Sequence, residues 1–405
     1  MSNIRPHSPN SPTRGPRIML YGHDSFGLGH LRRCLTLAES LRSRLPDASI
    51  LIVTGSPCAT QFPVPDGVDV LKLPSVTKEG GRYVSLRLGF GLENMLRLRS
   101  QTILAAFDAF EPDLLLVDHT PVGMCGELNK TLASAKEQGI PCILGLRDVI
   151  DSPLHVAREW SHPNIRKALA ESYEEVLVYG DPRVFDMRRE YPVPPELRER
   201  VHHVGYVVRP AVEQKSSGKT PEVLVTTGGG GDGLDRIEAY LRSLVGRKVA
   251  WKSRVVIGPL ADDARAQAAE SLAAKIEGVS ITRFDPHLRE HIAQADAVVA
   301  MAGYNTCAEI LASGTPAVLL PRTTPRREQF VRATRLRSFG VAECLVRSGL
   351  TRIPETVNKL LEAGVRPELR VDMGGADRTA DIVAKMLGAG VSSESISPGG
   401  KACSQ

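Results

Sequence analysis

His30 closes the segment GHDSFGLGHLRR, where Gly27 and Gly29 permit a tight turn before a helix. A histidine at a helix start meets the positive end of the helix dipole, which lowers its pKa and favours the neutral imidazole near pH 7. In a cleft, that imidazole can take a proton from a sugar hydroxyl or a water. His23 and Asp24 compete for the role of base, and Asp118 is the next candidate. Taken alone, a histidine here reads as a cap or packing residue before it reads as a base. Arg32 and Arg33 follow as partners for phosphate or as solvated charge.

A second group of chemically able residues lies in MAGYNTCAEILASGTPAVLLPRTTPRREQ, residues 301–329. The apolar run Ala297–Ala300 predicts a buried strand before it. A helix beginning near Asn305 would aim its free backbone N–H groups at a ligand, with Gly303 allowing close approach. Glu309 falls on the same face one turn deeper. A carboxylate there can accept hydrogen bonds from two adjacent ribose hydroxyls. The same spacing also describes an ordinary helix with a solvated acid. Ahead of this, the run Gly228–Gly233, including Gly229 and Gly230, follows a strand and opens a helix, where a backbone nest holds a diphosphate. It matches neither GxxxxGK[ST] nor the dinucleotide fingerprint. Arg322, Arg326 and Arg327 can pair with phosphate, while Glu328 and Gln329 can bracket sugar hydroxyls. Asp118-His119 and Arg147-Asp148 each end a predicted strand on one cleft edge, as acceptor-side candidates or as plain loop polarity.

These groups need a scaffold, and the bulk properties say which kind. The chain has 405 residues, enough for two domains, with 42% hydrophobic and 5% aromatic content. A net charge of +5, scattered and mostly arginine, suits an anionic small ligand and excludes nucleic acid as a partner. Seven cysteines without a CxxC pair read as reduced thiols, with no metal site and no disulfide frame. No run approaches the roughly 18–20 apolar residues of a membrane span, and the start lacks an apolar signal core. The expected location is the cytoplasm. Residues 82–107, basic and amphipathic, suggest a core helix or a peripheral contact with the inner face of a membrane.

Strand and helix patterns alternate along the chain, which predicts parallel βαβ units. The expected fold is α/β, with two doubly wound Rossmann-like domains facing across a cleft. Tails are expected at residues 1–15 and 391–405, and a Pro/Ser/Gly-rich linker at 209–221. The first domain is expected over residues 16–208 and the second over 222–375. A late helix is expected within residues 376–390.

The motifs A-G-Y-N-T-x-x-E, G-x-P-A-V-L-L-P and E-Q in residues 302–329 resemble the GT-B glycosyltransferases of family 28. The amino-terminal G-x-G-H-x-x-R is closer to a UDP-sugar hydrolase of pseudaminic acid synthesis. The resemblance implies uracil against the backbone at Phe284-Asp285, with Leu288 in its pocket. It implies diphosphate at Ala302, Gly303 and Tyr304, ribose at Glu309, and the donor sugar at Glu328 and Gln329. Gly29 and His30 align with the first glycine loop. Two departures stand out: Glu328-Gln329 replaces a pair of amides, and Leu31-Arg32-Arg33 replaces a Pro-containing segment. The implied activity is inverting, metal-independent hexosyl transfer, of an N-acetylhexosamine type, from a UDP-sugar co-substrate. It needs no cofactor, and the acceptor is an unidentified sugar, lipid-linked or small molecule. A hydrolase using water, and a binding protein without turnover, are the alternatives.

Overall fold

The computed structural model describes residues 14–23, 28–79, 82–209, 220–364 and 371–388. Most of the expected tails and linker, with Asp24 and Gly27, lie outside the described residues.

The first half begins with β1 (Arg17–Gly22), α1 (Gly29–Arg44), β2 (Ser49–Thr54) and β3 (Val68–Lys72). A hairpin, β4 (Val76–Glu79) and β5 (Arg82–Ser85), leads to α2 (Leu92–Phe110) and β6 (Leu114–Asp118). Then come α3 (Asn129–Gln138), β7 (Cys142–Arg147), α4 (Pro153–Trp160), α5 (Pro163–Glu171) and β8 (Glu175–Tyr179), followed by α6 (Met187–Glu190) and β9 (Val201–His203). The second half holds β10 (Glu222–Thr226), α7 (Leu234–Leu244), β11 (Lys252–Val256), α8 (Asp263–Ala273), β12 (Val279–Thr282) and α9 (Leu288–Gln294). It continues with β13 (Ala297–Ala300), α10 (Tyr304–Ser313), β14 (Ala317–Leu319), α11 (Glu328–Ser338) and β15 (Ala342–Cys344). Two helices, α12 (Ile353–Ala363) and α13 (Gly375–Met386), end the described chain.

Two parallel sheets result, in the orders β3-β2-β1-β6-β7-β8-β9 and β12-β11-β10-β13-β14-β15. Their central strands are apolar throughout because helices cover both faces; Leu114–Val117 and Ala297–Ala300 are wholly buried. In α1 the inward residues Leu31, Cys34, Leu35, Ala38 and Leu41 follow helical spacing. Each buried leucine there stabilises by roughly 1.5–3 kcal/mol. The strand order reverses between β1 and β6, and again between β10 and β13. Open α/β sheets bind ligands at the carboxyl ends of strands at such reversals.

One apolar cluster runs from β1 and β2 (Leu20, Ile52) through α1 and α13 (Leu41, Val383) to β13 and α10 (Val298, Ile310). Helix α13 lies on α1: Ser40 donates to Asp377 at 2.6 Å, and Arg44 pairs with Asp381 at 2.7 Å. Below the cleft a polar lock joins the halves. Arg332 of α11, fully buried, donates to Asp148 from Nε (2.9 Å) and Nη2 (2.6 Å), and to the Ala302 carbonyl (2.8 Å). The Arg327 N–H donates to Asp151 at 2.8 Å.

Three expectations change. The last strand of the first half, expected over His202–Val207, stops at His203, because the Tyr206 N–H donates to the Asp372 carbonyl (2.7 Å) instead of continuing the ladder. Residues 82–107 split into β5, a loop and α2, with Leu86, Leu88 and Phe90 exposed in the loop. The loop expected through Gln329 gives way to α11 at Glu328. Among the described residues, no helix is long and apolar enough to cross a membrane, and the six described cysteines are free.

Candidate active site

Both strand-order reversals open into one cavity of about 1680 Å³. Its first wall comes from the second half. After β10 the chain turns through Gly228–Gly230, packed against the Ile257–Gly258 turn. Gly230 and Gly258 both have positive φ (83° and 105°). A Cβ on Gly230 would sit 2.7 Å from the Ile257 carbonyl, so only glycine fits this pair of turns. After β13 the Gly303 backbone is ordinary extended chain, and a Cβ there meets nothing within 4 Å. The open space belongs to the cavity. Helices α7 and α10 both start without a side-chain cap, which leaves their first N–H groups for a ligand.

Glu309 lies one turn into α10 and is only 6% exposed. One carboxylate oxygen accepts from Arg32, which reaches across from the first turn of α1. The other oxygen has no hydrogen-bond partner. A buried acceptor left unpaired is costly, so this oxygen calls for a donor. Asn305 Nδ2 donates to the Gly29 carbonyl at 3.2 Å, so the uncapped starts of α1 and α10 converge.

The opposite wall comes from the first half. His30 Nδ1 lies 2.6 Å from Asp118 Oδ2. Arg33 grips the same carboxylate through Nε (2.8 Å) and Nη2 (2.6 Å). Asp118 is fully buried. Burial alone would raise its pKa, but the Arg33 charge and the His30 hydrogen bond outweigh it and hold the carboxyl well below the usual range. An ionised Asp118 with both oxygens engaged is placed to orient an imidazole; the sequence reading named it as base only should His30 fail. Both its oxygens are engaged and it does not line the cavity. It holds the imidazole by Nδ1 and stabilises the imidazolium that proton uptake creates, an arrangement of base and orienting carboxylate.

The cavity is lined by Gly29, His30, Gly229, Gly230, Phe284, Asp285, Leu288, Gly303, Tyr304, Asn305, Glu309, Arg322, Glu328 and Gln329. Ala302 is not brought to it: the residue is fully buried and its carbonyl is taken by Arg332. The Tyr304 hydroxyl is also turned away, accepting from the Val207 N–H at 2.9 Å. The Asp285 carboxylate faces His291 Nδ1 (2.6 Å) and the His287 N–H (2.8 Å). Arg322 pairs with Asp232 and Glu328, and Gln329 accepts from the Arg322 N–H at 3.1 Å. Among the described residues, no group of three or more His, Cys, Asp or Glu is arranged to hold a metal ion.

His119 and Arg147 also line the cavity, with Arg147 Nη2 2.8 Å from His119 Nε2. His119 is 8% exposed and has φ 73°, a left-handed conformation rare outside glycine. Burial, reinforced by Arg147, pushes its pKa well below the ordinary histidine value. The unfolded chain thus binds a proton that the folded chain refuses. Stability from this group is present at pH 7 and falls as pH drops below about 6.5, by up to roughly 1.4 kcal/mol per pH unit. Urea unfolding at pH 7 and pH 5 checks this: the pH slope for His119→Asn should be shallower than for the wild type, and equal slopes would contradict it.

Residues 239–384 match the glycosyltransferase family 28 C-terminal domain, a span that includes the Gly303–Glu309 and Arg322–Gln329 wall. The likeness to that family lies in the second half of the chain. The chain is also similar to two curated relatives, both named UDP-N-acetylglucosamine--N-acetylmuramyl-(pentapeptide) pyrophosphoryl-undecaprenol N-acetylglucosamine transferase. The Haemophilus ducreyi protein is 27% identical over 116 residues, 26% of this chain. The Haemophilus influenzae protein is 29% identical over 117 residues, 27% of this chain. In each case the match spans about a third (33%) of the relative's length. Across nearly the whole chain the likeness is one of fold. The calicheamicin glycosyltransferase CalG4 has a TM-score of 0.61 at 19% identity, covering 92% of this chain and 98% of that one. Acinetobacter baumannii MurG has a TM-score of 0.59 at 14% identity, covering 91% and 99%. The fold is GT-B, two Rossmann-like units around a cleft.

Proposed function

We propose that this protein transfers a hexosyl group, N-acetylhexosamine-like, from a UDP-sugar to an acceptor hydroxyl, with inversion at the anomeric carbon. The observation that carries the reading is the pairing of opposite walls in one cavity. Glu309 presents an unpaired buried oxygen on one side, and the Asp118–His30 pair stands on the other.

The second half holds the donor. Ribose hydroxyls donate to Glu309, and the diphosphate lies at the Gly228–Gly230 turn and the start of α10. The sugar meets Glu328 and Gln329. His30 takes the acceptor proton through Nε2 as the new bond forms at the anomeric carbon. The bond to the diphosphate breaks on the opposite face, and UDP departs with its electron pair. Uncapped helix starts stabilise the growing negative charge, so the step asks for no cation. The names of the Haemophilus relatives support a UDP-N-acetylhexosamine donor. The cavity volume, beyond the 300–1,000 Å³ usual for one drug-sized ligand, leaves room for donor and acceptor together and favours transfer over hydrolysis. The protein acts in the cytoplasm, with Leu86, Leu88 and Phe90 as a peripheral membrane contact.

Calorimetry tests the donor half. UDP binds the wild type, and Glu309→Ala raises its dissociation constant about tenfold or more, from lost charge-assisted bonds of roughly 1.5–3 kcal/mol. Unchanged UDP affinity in the variant would sink the ribose assignment. Rapid release of free sugar from UDP-sugars without acceptor would replace transfer by hydrolysis.

A further inference from the structure

We infer that the first half carries a built subsite for an oxyanion, a carboxylate or phosphate borne by the acceptor, held by His119 and Arg147. This rests on the transferase reading and adds the class of molecule that receives the sugar.

Three fully buried arginines each face a carboxylate, Arg33 with Asp118, Arg99 with Glu127 and Arg332 with Asp148, whereas Arg147 is only partly buried. Arg147 has none within ion-pair distance. Its described side-chain hydrogen bond goes to His119, and its Nε is buried without a partner. Glu328 supplies counter-charge from beyond ion-pair distance: Arg147 is the strongest charge acting on that carboxylate, whose Oε1 accepts from Arg322 and whose Oε2 is buried without a hydrogen-bond partner among the described residues. Burial, with Arg33, Arg332 and Arg326 nearby, lowers the Arg147 pKa to about 10 against the opposing pull of Glu328.

His119 completes the site. A guanidinium only donates, so His119 Nε2 must accept from Arg147. In a neutral imidazole the proton then sits on Nδ1. That Nδ1 is buried and has no partner. The residue is held in place by a left-handed backbone, with the main-chain N–H of His119 donating to the Gly145 carbonyl at 2.6 Å. Strain of this kind costs about 1–3 kcal/mol and collects at ligand sites. His119 and Arg147 line the same cavity wall, and behind its surface lie a buried Nδ1–H and a buried guanidinium Nε–H, two donors lacking an acceptor among the described residues. An oxyanion satisfies both, and Arg326, also lining the cavity, adds positive charge.

Position narrows the class further. The His119 and His30 ring centroids are 5.5 Å apart. The anionic group therefore lies close to the hydroxyl that His30 deprotonates, as in a hydroxy acid, a uronic acid or a sugar phosphate. A neutral aglycone would leave both donors buried and unpaired.

The test uses full-length protein saturated with UDP, so that the donor site is occupied. Inorganic phosphate and acetate are titrated in separate calorimetry arms. Saturable binding of phosphate indicates a phosphorylated acceptor, and of acetate a carboxylated one. Arg147→Met and His119→Asn each weaken the bound anion about tenfold or more while UDP affinity is unchanged. The inference is overturned if neither anion binds saturably to the wild type, or if binding is indifferent to Arg147→Met. If UDP itself does not bind, the donor reading fails. Phosphate and acetate titrated into the free protein, with the same two variants, then decide the subsite alone.

Discussion

Replacing His30 with alanine lowers kcat about 10²–10⁴-fold while UDP binds as before. The measurement is UDP release from whichever UDP-sugar stabilises the protein in a thermal-shift panel, with an acceptor supplied. The size of the effect follows from geometry. A base must reach the proton it takes and must keep its charge stabilised afterwards. His30 lines the cavity, and its Nδ1 is held at 2.6 Å by Asp118. Asp118 stays ionised because Arg33 grips it twice. Asp118→Asn should therefore also lose rate, but with a broader structural cost, since Arg33 would be left buried without its counter-charge. His30→Ala is the cleaner variant: the half-buried imidazole goes and the buried pair stays. Activity within tenfold of wild type would mean that another group, such as His23, takes the proton. If every turnover stays at background before and after the substitution, the protein binds nucleotide sugars without converting them.

The parts of this arrangement that sequence made legible are local ones. A strand ending in glycine and followed by a helix is written in a dozen residues, so Gly228–Gly230 and Gly303–Glu309 could be placed at strand ends before any coordinates. Helical spacing put Glu309 on the face of Asn305, and both line the cavity. What stayed hidden depends on distant partners. Asp118 reads as a free carboxylate at a strand end until Arg33, 85 residues away, is seen gripping it. Helix α11 reads as polar loop because its inward face is Gln329 and Arg332 as well as Ala333 and Leu336. Apolar periodicity cannot reveal a helix that buries a charge against an aspartate 184 residues away. His119 had its address right, at the end of β6, but nothing in a histidine announces a left-handed φ or an orphaned nitrogen. The shortened β9 has the same cause: its chain neighbour is residue 372.

Asp148→Ala should destabilise the protein by about 3–5 kcal/mol, read from urea unfolding at pH 7. The carboxylate and Arg332 are both essentially inaccessible to water. Removing one partner strands a buried guanidinium, which costs far more than losing an exposed pair such as Arg14–Asp113, worth roughly 0–1 kcal/mol. A loss no larger than that surface value would show that water reaches the pair and that the halves are not locked there. Replacing both residues with leucine is the sharper variant. Apolar substitutes for a buried ion pair are often neutral in stability, so most of the loss should return. UDP affinity should not return with it. Arg332 also donates to the Ala302 carbonyl, one residue ahead of the Gly303 turn that starts α10. Asp148 sits at the end of β7, beside Arg147. The lock thus sets α10 and the end of β7 relative to each other through one guanidinium. A double variant that is stable yet binds UDP weakly would show that the buried pair serves the cleft's geometry rather than the fold's stability.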